Sequence, residues 1–153
     1  MRICHFNEYL RDDAKEKGWD NVREIKYRAW LKEEERIVSV SHISFIGEEI
    51  DVYEGDSSSG DWRPFNEIIL MQYTGFKDSD GKEIYEGDIV SCLGHDDEDI
   101  YDSLVYYSGG ALCIDSSGCD YDYIAIGWAL ESDLFSIEVI GNIYENPELV
   151  KDA

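Results

Sequence analysis

The 153-residue chain carries 13 Lys and Arg against 35 Asp and Glu, a formal charge of −22, and Glu83 to Val150 holds 16 of the carboxylates with no Lys or Arg. A surface made by that half is anionic at neutral pH, which argues against nucleic acid, phosphorylated ligands and acidic membranes and favours basic proteins and divalent cations. Disorder is excluded as well, because 43% of residues are hydrophobic and 13% aromatic, enough for one core in a chain of ordinary domain size.

The opening residues MRICHFNEYLRD contain no apolar run long enough for a signal peptide, and no stretch of about 20 apolar residues follows. The expectation is a cytoplasmic protein with Cys4, Cys92, Cys113 and Cys119 reduced. Asn7 can cap a helix over residues 7–17, in which Leu10 and Ala14 share a face with Phe6 and Gly18 supplies the stop. Two to three turns are marginal alone in water, so Phe6 or Trp19 must dock this appendage, residues 1–23, onto the domain or a partner.

From Ile25 the period is that of strands. Ile25, Tyr27 and Ala29 alternate with Lys26 and Arg28, a charged turn follows at Lys32 to Glu35, and Ile37, Val38, Val40, Ile43 and Phe45 suit a second strand. Gly47 and Glu48 allow a turn into a third strand at Ile50, Val52 and Tyr53. Residues 54–61, EGDSSSGD, have loop chemistry, and Ile68 to Tyr73 is apolar enough for a buried strand. Asp80 and Gly81 suit the positive φ angles of a tight turn. Beyond Gly87, Asp88 to Leu93 runs out, Leu104 to Tyr107 returns, and Ala111 to Asp115 runs out again. The two outward strands are expected to end on one rim, carrying the loops 94–102 and 115–123 with eight of the 16 carboxylates.

Three blocks carry a family resemblance: IKYRAW from Ile25 to Trp30, LMQYTGFKDSDGKEIYEGDIV from Leu70 to Val90, and EVIGNIYENPEL from Glu138 to Leu149. In order and spacing they closely resemble the YopX family, small proteins of bacteriophages and prophages, over residues 24–150. The resemblance implies a mainly β (α+β) fold of SH3-like or barrel-like antiparallel sheets, here with one N-terminal helix, and it carries no catalytic residue over. The middle block also has a purely architectural reading, in which Gly75, Gly81 and Gly87 take backbone conformations that tight turns require. The alternative is a site formed by Thr74, Lys77, Lys82 and Tyr85.

Two constellations have chemical content. Cys92 and His95 stand at a chelating spacing, and Cys113 and Cys119 could complete a tetrahedral zinc site, with Asp96 or Asp97 able to replace Cys113. Against this, Cys92 and Cys113 fit equally as small core residues, so the cofactor expectation is none or zinc. Cys4 and His5 form a further candidate pair. As an enzyme the chain offers little: it lacks GxSxG, P-loop, HExxH and GxGxxG motifs, and its histidines are His5, His42 and His95. His42 lies among apolar strand residues and reads as structural, and the carboxylate runs read as solvated rather than as a sheltered dyad.

Binding remains. Asp96, Asp97, Glu98, Asp99, Tyr101, Asp102, Asp120, Tyr121, Asp122 and Tyr123 interleave carboxylates with phenol rings, a pairing that engages Arg by hydrogen bonds and stacking. Duplex DNA presents about one charge per 1.7 Å of axis, which a crowded carboxylate surface can imitate. The partner expected is a basic nucleic-acid-handling protein of the host cell, for example a CRISPR effector, with no direct binding of nucleic acid or membrane. Two other readings stay open. A pocket could sequester a small nucleotide by gathering Arg23, Lys26, Arg28, Arg63, Lys77 or Lys82, or edge strands could pair in a structural homo-oligomer.

Overall fold

The structure, a computed structural model, describes residues 24–55, 60–94, 100–115, 123–131 and 135–150. The helix expected at 7–17, and with it the appendage 1–23, lies outside the described residues.

Six strands form the first sheet: β1 (Tyr27–Leu31), β2 (Arg36–Ser44), β3 (Glu49–Tyr53), β4 (Asp61–Pro64), β5 (Ile68–Lys77) and β6 (Glu83–Tyr85). They lie in the order β4-β3-β2-β1-β5-β6, every pairing antiparallel. The turns fall where the charged and glycine-bearing segments predict them. Glu35 closes the first with φ of 49° and its N–H on the Leu31 carbonyl at 2.9 Å, and Glu48 takes φ of 52° in the second. One face of the sheet buries Ala29, Leu31, Val38, Ile50, Val52 and Ile68 against the partly buried Phe65 and Leu70. The other face is not left to solvent, since Trp30 stacks on Tyr144 with ring centroids 5.8 Å apart and Met71 and Tyr73 are buried.

The acidic half builds two smaller sheets. β7 (Asp88–Gly94) lies between β8 (Ile100–Leu104) and β12 (Phe135–Asn142), while β10 (Ala111–Asp115) lies between β9 (Tyr106–Ser108) and β11 (Tyr123–Ala125). A six-residue helix, α1 (Ile126–Glu131), follows β11 directly. Ile84, Val90, Cys92, Val105, Ile114, Ile126, Ala129, Ile137 and Val139 form their common core. The architecture is therefore mainly antiparallel β, as the sequence predicts, but among the described residues the sheets stay open and no barrel closes.

Two details depart from the sequence reading. The expected single strand from Leu104 to Tyr107 is broken at Val105, which is fully buried and exchanges backbone hydrogen bonds with Gly87 and Asp88 at 2.8 Å each. That exchange turns the chain out of one sheet and into the other. The two outward strands consequently belong to different sheets, bridged where the Asp115 N–H donates to Ser103 Oγ at 2.8 Å. Helix α1 is the second departure, since nothing in its sequence announces a helix.

Candidate functional site

The glycine-rich central block acts as the joint between the sheets. Arg28 of β1 reaches across to Asp88 of β7, whose side chain is only 1% exposed. The Asp88 carboxylate also accepts the Tyr85 backbone N–H at 2.7 Å, and the guanidinium lies over the Tyr85 ring, 4.6 Å from its centroid. Asp78 does similar work at the other end of the block. Its carboxylate accepts the backbone N–H groups of Lys82 (2.8 Å), Asp80 (3.0 Å) and Val139 (3.0 Å), tying the Asp78–Gly81 turn to β12. Burial alone would raise the Asp78 pKa, but the donors of Val139, Lys82 and Asp80 more than offset it, so the carboxyl titrates below the ordinary aspartate value. Gly87 has φ of 84°, and a Cβ there would stand 3.3 Å from the Tyr144 ring. Three of the four residues of the alternative site are occupied as well, and the fourth, Lys77, is exposed. Thr74 donates its hydroxyl to the Ile84 carbonyl at 2.8 Å, Lys82 bonds the Val139 carbonyl at 3.2 Å, and Tyr85 donates to Glu83 at 2.8 Å.

This use of cations extends across the first sheet. Lys26 pairs with Glu83 at 2.6 Å and Glu24 at 3.1 Å, Arg36 with Glu34 at 2.6 Å and Glu54 at 2.7 Å, and Arg63 with Glu34 at 2.6 Å and Asp61 at 2.8 Å. The bond from Lys26 holds Glu83 below the ordinary glutamate range despite partial burial. Among the described residues, Lys26, Arg28 and Lys82 reach the acidic half, and they meet it at the joint. Away from the joint, β8 to β11 and α1 present Asp102, Asp115 and Glu131, and their sequence supplies no cation to pair with them.

On this far side, cross-strand register sets the surface. Tyr106 and Ala125 both oppose Cys113, and Tyr123 opposes Asp115, so these residues share one face of the β9–β10–β11 sheet. Tyr106 donates its hydroxyl to Asp115 at 2.9 Å, and burial followed by that bond pushes the phenol pKa up to about 12. Tyr123 is 43% exposed, Tyr107 64% and Trp128 54%. Sequence reading includes Tyr123 among the partner-binding residues but not Trp128, whose exposure depends on a helix that the sequence does not announce.

The other predicted partner residues divide. Asp96, Asp97, Glu98, Asp99, Asp120, Tyr121 and Asp122 lie outside the described residues. Tyr101 and Asp102 sit in β8 rather than in a loop, and Tyr101, opposite Cys92, packs against the core. Of the predicted zinc ligands, His95 and Cys119 lie outside the described residues, as do Cys4 and His5. Cys92 and Cys113 are buried in different sheets, with no group of three or more potential ligands among the described residues. Burial pushes the Cys92 thiol up to about 11, against the thiolate a metal requires. His42 is exposed beside Ser41, 3.1 Å away, because a bulge in β2 between Val40 and His42 turns it from the core.

Two clefts remain. One, of about 530 Å³, lies over β1, β2 and β6 and is lined by Tyr27, Tyr53, Tyr85, His42, Lys26 and Glu83, among others. Of the cations proposed to gather a nucleotide, Arg23 lies outside the described residues, and among the others Lys26 alone lines the cleft, already bonded to two carboxylates. The second, of about 570 Å³, opens where β5 meets β9, β10, β11 and the start of α1.

These features define a class: a small antiparallel β protein whose glycine–carboxylate block joins its sheets and whose far side is anionic and aromatic. The YopX protein family model matches residues 26–151, and the chain belongs to that family. Over 73 residues it is 40% identical to the SPbeta prophage-derived uncharacterized protein YopX of Bacillus subtilis (strain 168), a match covering 46% of this chain and 52% of the relative, about half of its length. The crystal structure of protein yopX from Bacillus subtilis superposes with a TM-score of 0.59 at 29% identity, covering 85% of this chain and all of that one. A crystal structure of an Enterococcus faecalis protein shares the fold, with a TM-score of 0.56 and 24% identity over 84% of this chain and 99% of its own.

Proposed function

We propose that the chain is a non-enzymatic phage accessory protein that binds a basic, nucleic-acid-handling protein of the host, such as a guide-RNA nuclease, and blocks its nucleic-acid channel. The observation that carries this reading is the far side of the acidic half, where Tyr123 and Trp128 are exposed on elements whose sequence holds carboxylates and no cation. Carboxylates supply attraction and register toward Arg and Lys, and exposed rings supply apolar area and stacking. The first sheet adds support by exclusion, since its Lys26, Arg28, Arg36 and Arg63 are held in ion pairs. The prophage origin of the Bacillus relative fits a counter-defence role.

The test is capture of bacterial lysate proteins on the immobilised chain at about 50 mM salt, followed by elution toward about 500 mM. A basic nucleic-acid enzyme in the eluate, displaced from the chain by added duplex DNA, supports the reading. Failure to retain any basic protein overturns it.

A structural, self-assembling role is the second reading, favoured by Phe45 and Ile46, which project into solvent at the tip of the β2–β3 hairpin. Light scattering separates the two, because assembly predicts a mass that grows with concentration in the absence of a partner.

A further inference from the structure

The groove of about 570 Å³ where β5 meets the β9–β10–β11 sheet is walled by the rings of Tyr73, Phe76 and Tyr107 and by Leu112, Ala125 and Ile126. Pockets of about 300–1,000 Å³ hold small ligands, and a partner's anchoring side chain occupies a pocket in the same way. The walls are preformed. The backbone of α1 approaches so closely that a Cβ on Gly127 would stand 2.7 Å from the Phe76 ring, and Tyr107 and Leu112 are cross-strand partners in β9 and β10. The Thr74 hydroxyl beside them is engaged already, donating to the Ile84 carbonyl and accepting the Phe76 N–H. A site ordered in advance loses little entropy on binding.

Charge narrows the class of occupant. Among the described residues that line the groove there is no Lys, Arg or His, and the carboxylate at its rim is that of Glu24. The Glu24 side chain is 61% exposed, and Lys26, 3.1 Å from it, lies nearer to Glu83, at 2.6 Å. Its two oxygens therefore keep acceptor capacity toward a second donor. The neighbouring β10 and α1 add Asp115 and Glu131, and β9, β10, β11 and α1 supply no cation. An anionic ligand finds no counter-charge here, whereas a cation is attracted by the whole surrounding field.

Aromatic and aliphatic walls under an anionic rim suit a side chain with an apolar stem and a cationic head. Arginine answers this better than lysine. Its planar guanidinium stacks on phenol rings and donates in a fork that matches a carboxylate, whereas an ammonium is a strongly hydrated point charge. The position is also right, because Tyr107 at the rim is 64% exposed and stands on the same sheet as Tyr123. The 530 Å³ cleft on the first sheet is the poorer host for a cation, since Lys26 lines it and its Glu83 is bonded to Lys26 and Tyr85.

Resting on the proposed function, we infer that this groove is the anchor site for an arginine side chain of the basic partner, its guanidinium at the rim formed by Tyr107 and Glu24 and its stem against Phe76 and Leu112. The anionic far side then supplies long-range attraction, and the groove supplies the short-range contact that selects the partner's surface.

Methyl NMR of the full chain, titrated with N-acetyl-arginine amide, tests this. The expected result is saturable shifts in the millimolar range at the methyl groups of Leu112, Ala125 and Ile126, with N-acetyl-leucine amide binding about tenfold more weakly. Tyr107→Ala and Glu24→Gln, both at exposed positions, should each weaken the arginine probe about threefold or more, while Trp62→Ala on β4 leaves it unchanged. A leucine probe that binds as well as the arginine one overturns the inference. So do shifts at Val40 and Ile43 in place of the groove, the absence of any saturable shift, or binding indifferent to both rim variants. Partner capture separates this inference from the proposed function. Capture of a basic protein with an affinity that neither rim variant changes overturns the inference and leaves that function standing. Saturable arginine binding by a chain that retains no basic lysate protein supports the groove and overturns the function alone.

Discussion

The six-stranded sheet and the two smaller sheets handle charge in opposite ways. In the first, Arg36 and Arg63 share Glu34, Lys26 bridges Glu24 and Glu83, and Arg28 is drawn to a buried aspartate. In the second, Asp102, Asp115 and Glu131 sit on elements whose sequence provides no counter-ion. The first region therefore uses electrostatics for its own architecture, whereas the second leaves an anionic potential, which the proposed function assigns to a basic partner. Net charge of this size works against the compact state, and the joint, where charges of opposite sign are buried together, is where the two regions are held to one another.

The joint should break the comparison most severely. Arg28→Met leaves Asp88 buried without its guanidinium, in a site where burial already raises its pKa, and the expected cost is about 3–5 kcal/mol in urea unfolding. Adding Asp88→Leu should restore at least half of that, whereas a double variant as unstable as the single one would place the cost elsewhere. Gly87→Ala comes next, at about 1–3 kcal/mol, because an L-residue at φ of 84° is strained and its Cβ meets the Tyr144 ring.

Acid sharpens the comparison further. The folded Asp78 and Glu83 carboxyls titrate below their ordinary values, so the stability they supply is complete above the unfolded pKa and is lost as pH falls through the folded one. The share of stability that these two carboxyls supply should be constant between about pH 7 and pH 5 and should decline below about pH 4, whereas Asp88, whose pKa burial raises, acts in the opposite direction. The difference in urea midpoint between the chain and Asp78→Asn should therefore shrink as pH falls below about 4, and a difference that grows on acidification would contradict the assignment. The smallest effect on stability belongs to the far side and to solvated pairs. Trp128→Ala and Arg36→Ala should each shift unfolding by no more than about 1 kcal/mol. Only Trp128→Ala should weaken partner capture.

The fold is legible in the sequence wherever a period of two meets a turn: β1, β2, β3, β5, β7 and β10 follow the alternation and the Gly, Asp and Glu turns that bound them. Val105 is not, because an apolar residue continuing a strand looks like any other until Gly87 and Asp88, far away in the chain, bond its backbone. Helix α1 escapes notice since six residues without a basic last turn or an acidic first one carry too little pattern to separate from a strand. The acidic aromatic character of the site is legible from composition alone. The exposure of Trp128 and the inward turn of Tyr101 are not, because both depend on which sheet a strand joins. The Arg28–Asp88 pair was in principle within reach: Arg28 alternates with Ala29 and so falls on the Trp30 face, and a charge beside a large apolar residue on a buried face needs a partner.

The most direct measurement is the affinity of the chain for a captured basic nucleic-acid enzyme as a function of salt. Attraction between the anionic face and a basic channel predicts that affinity falls at least tenfold between about 50 and about 500 mM salt, with Tyr123→Ala and Trp128→Ala weakening it further at every concentration. Affinity that stays constant over that range would contradict the account.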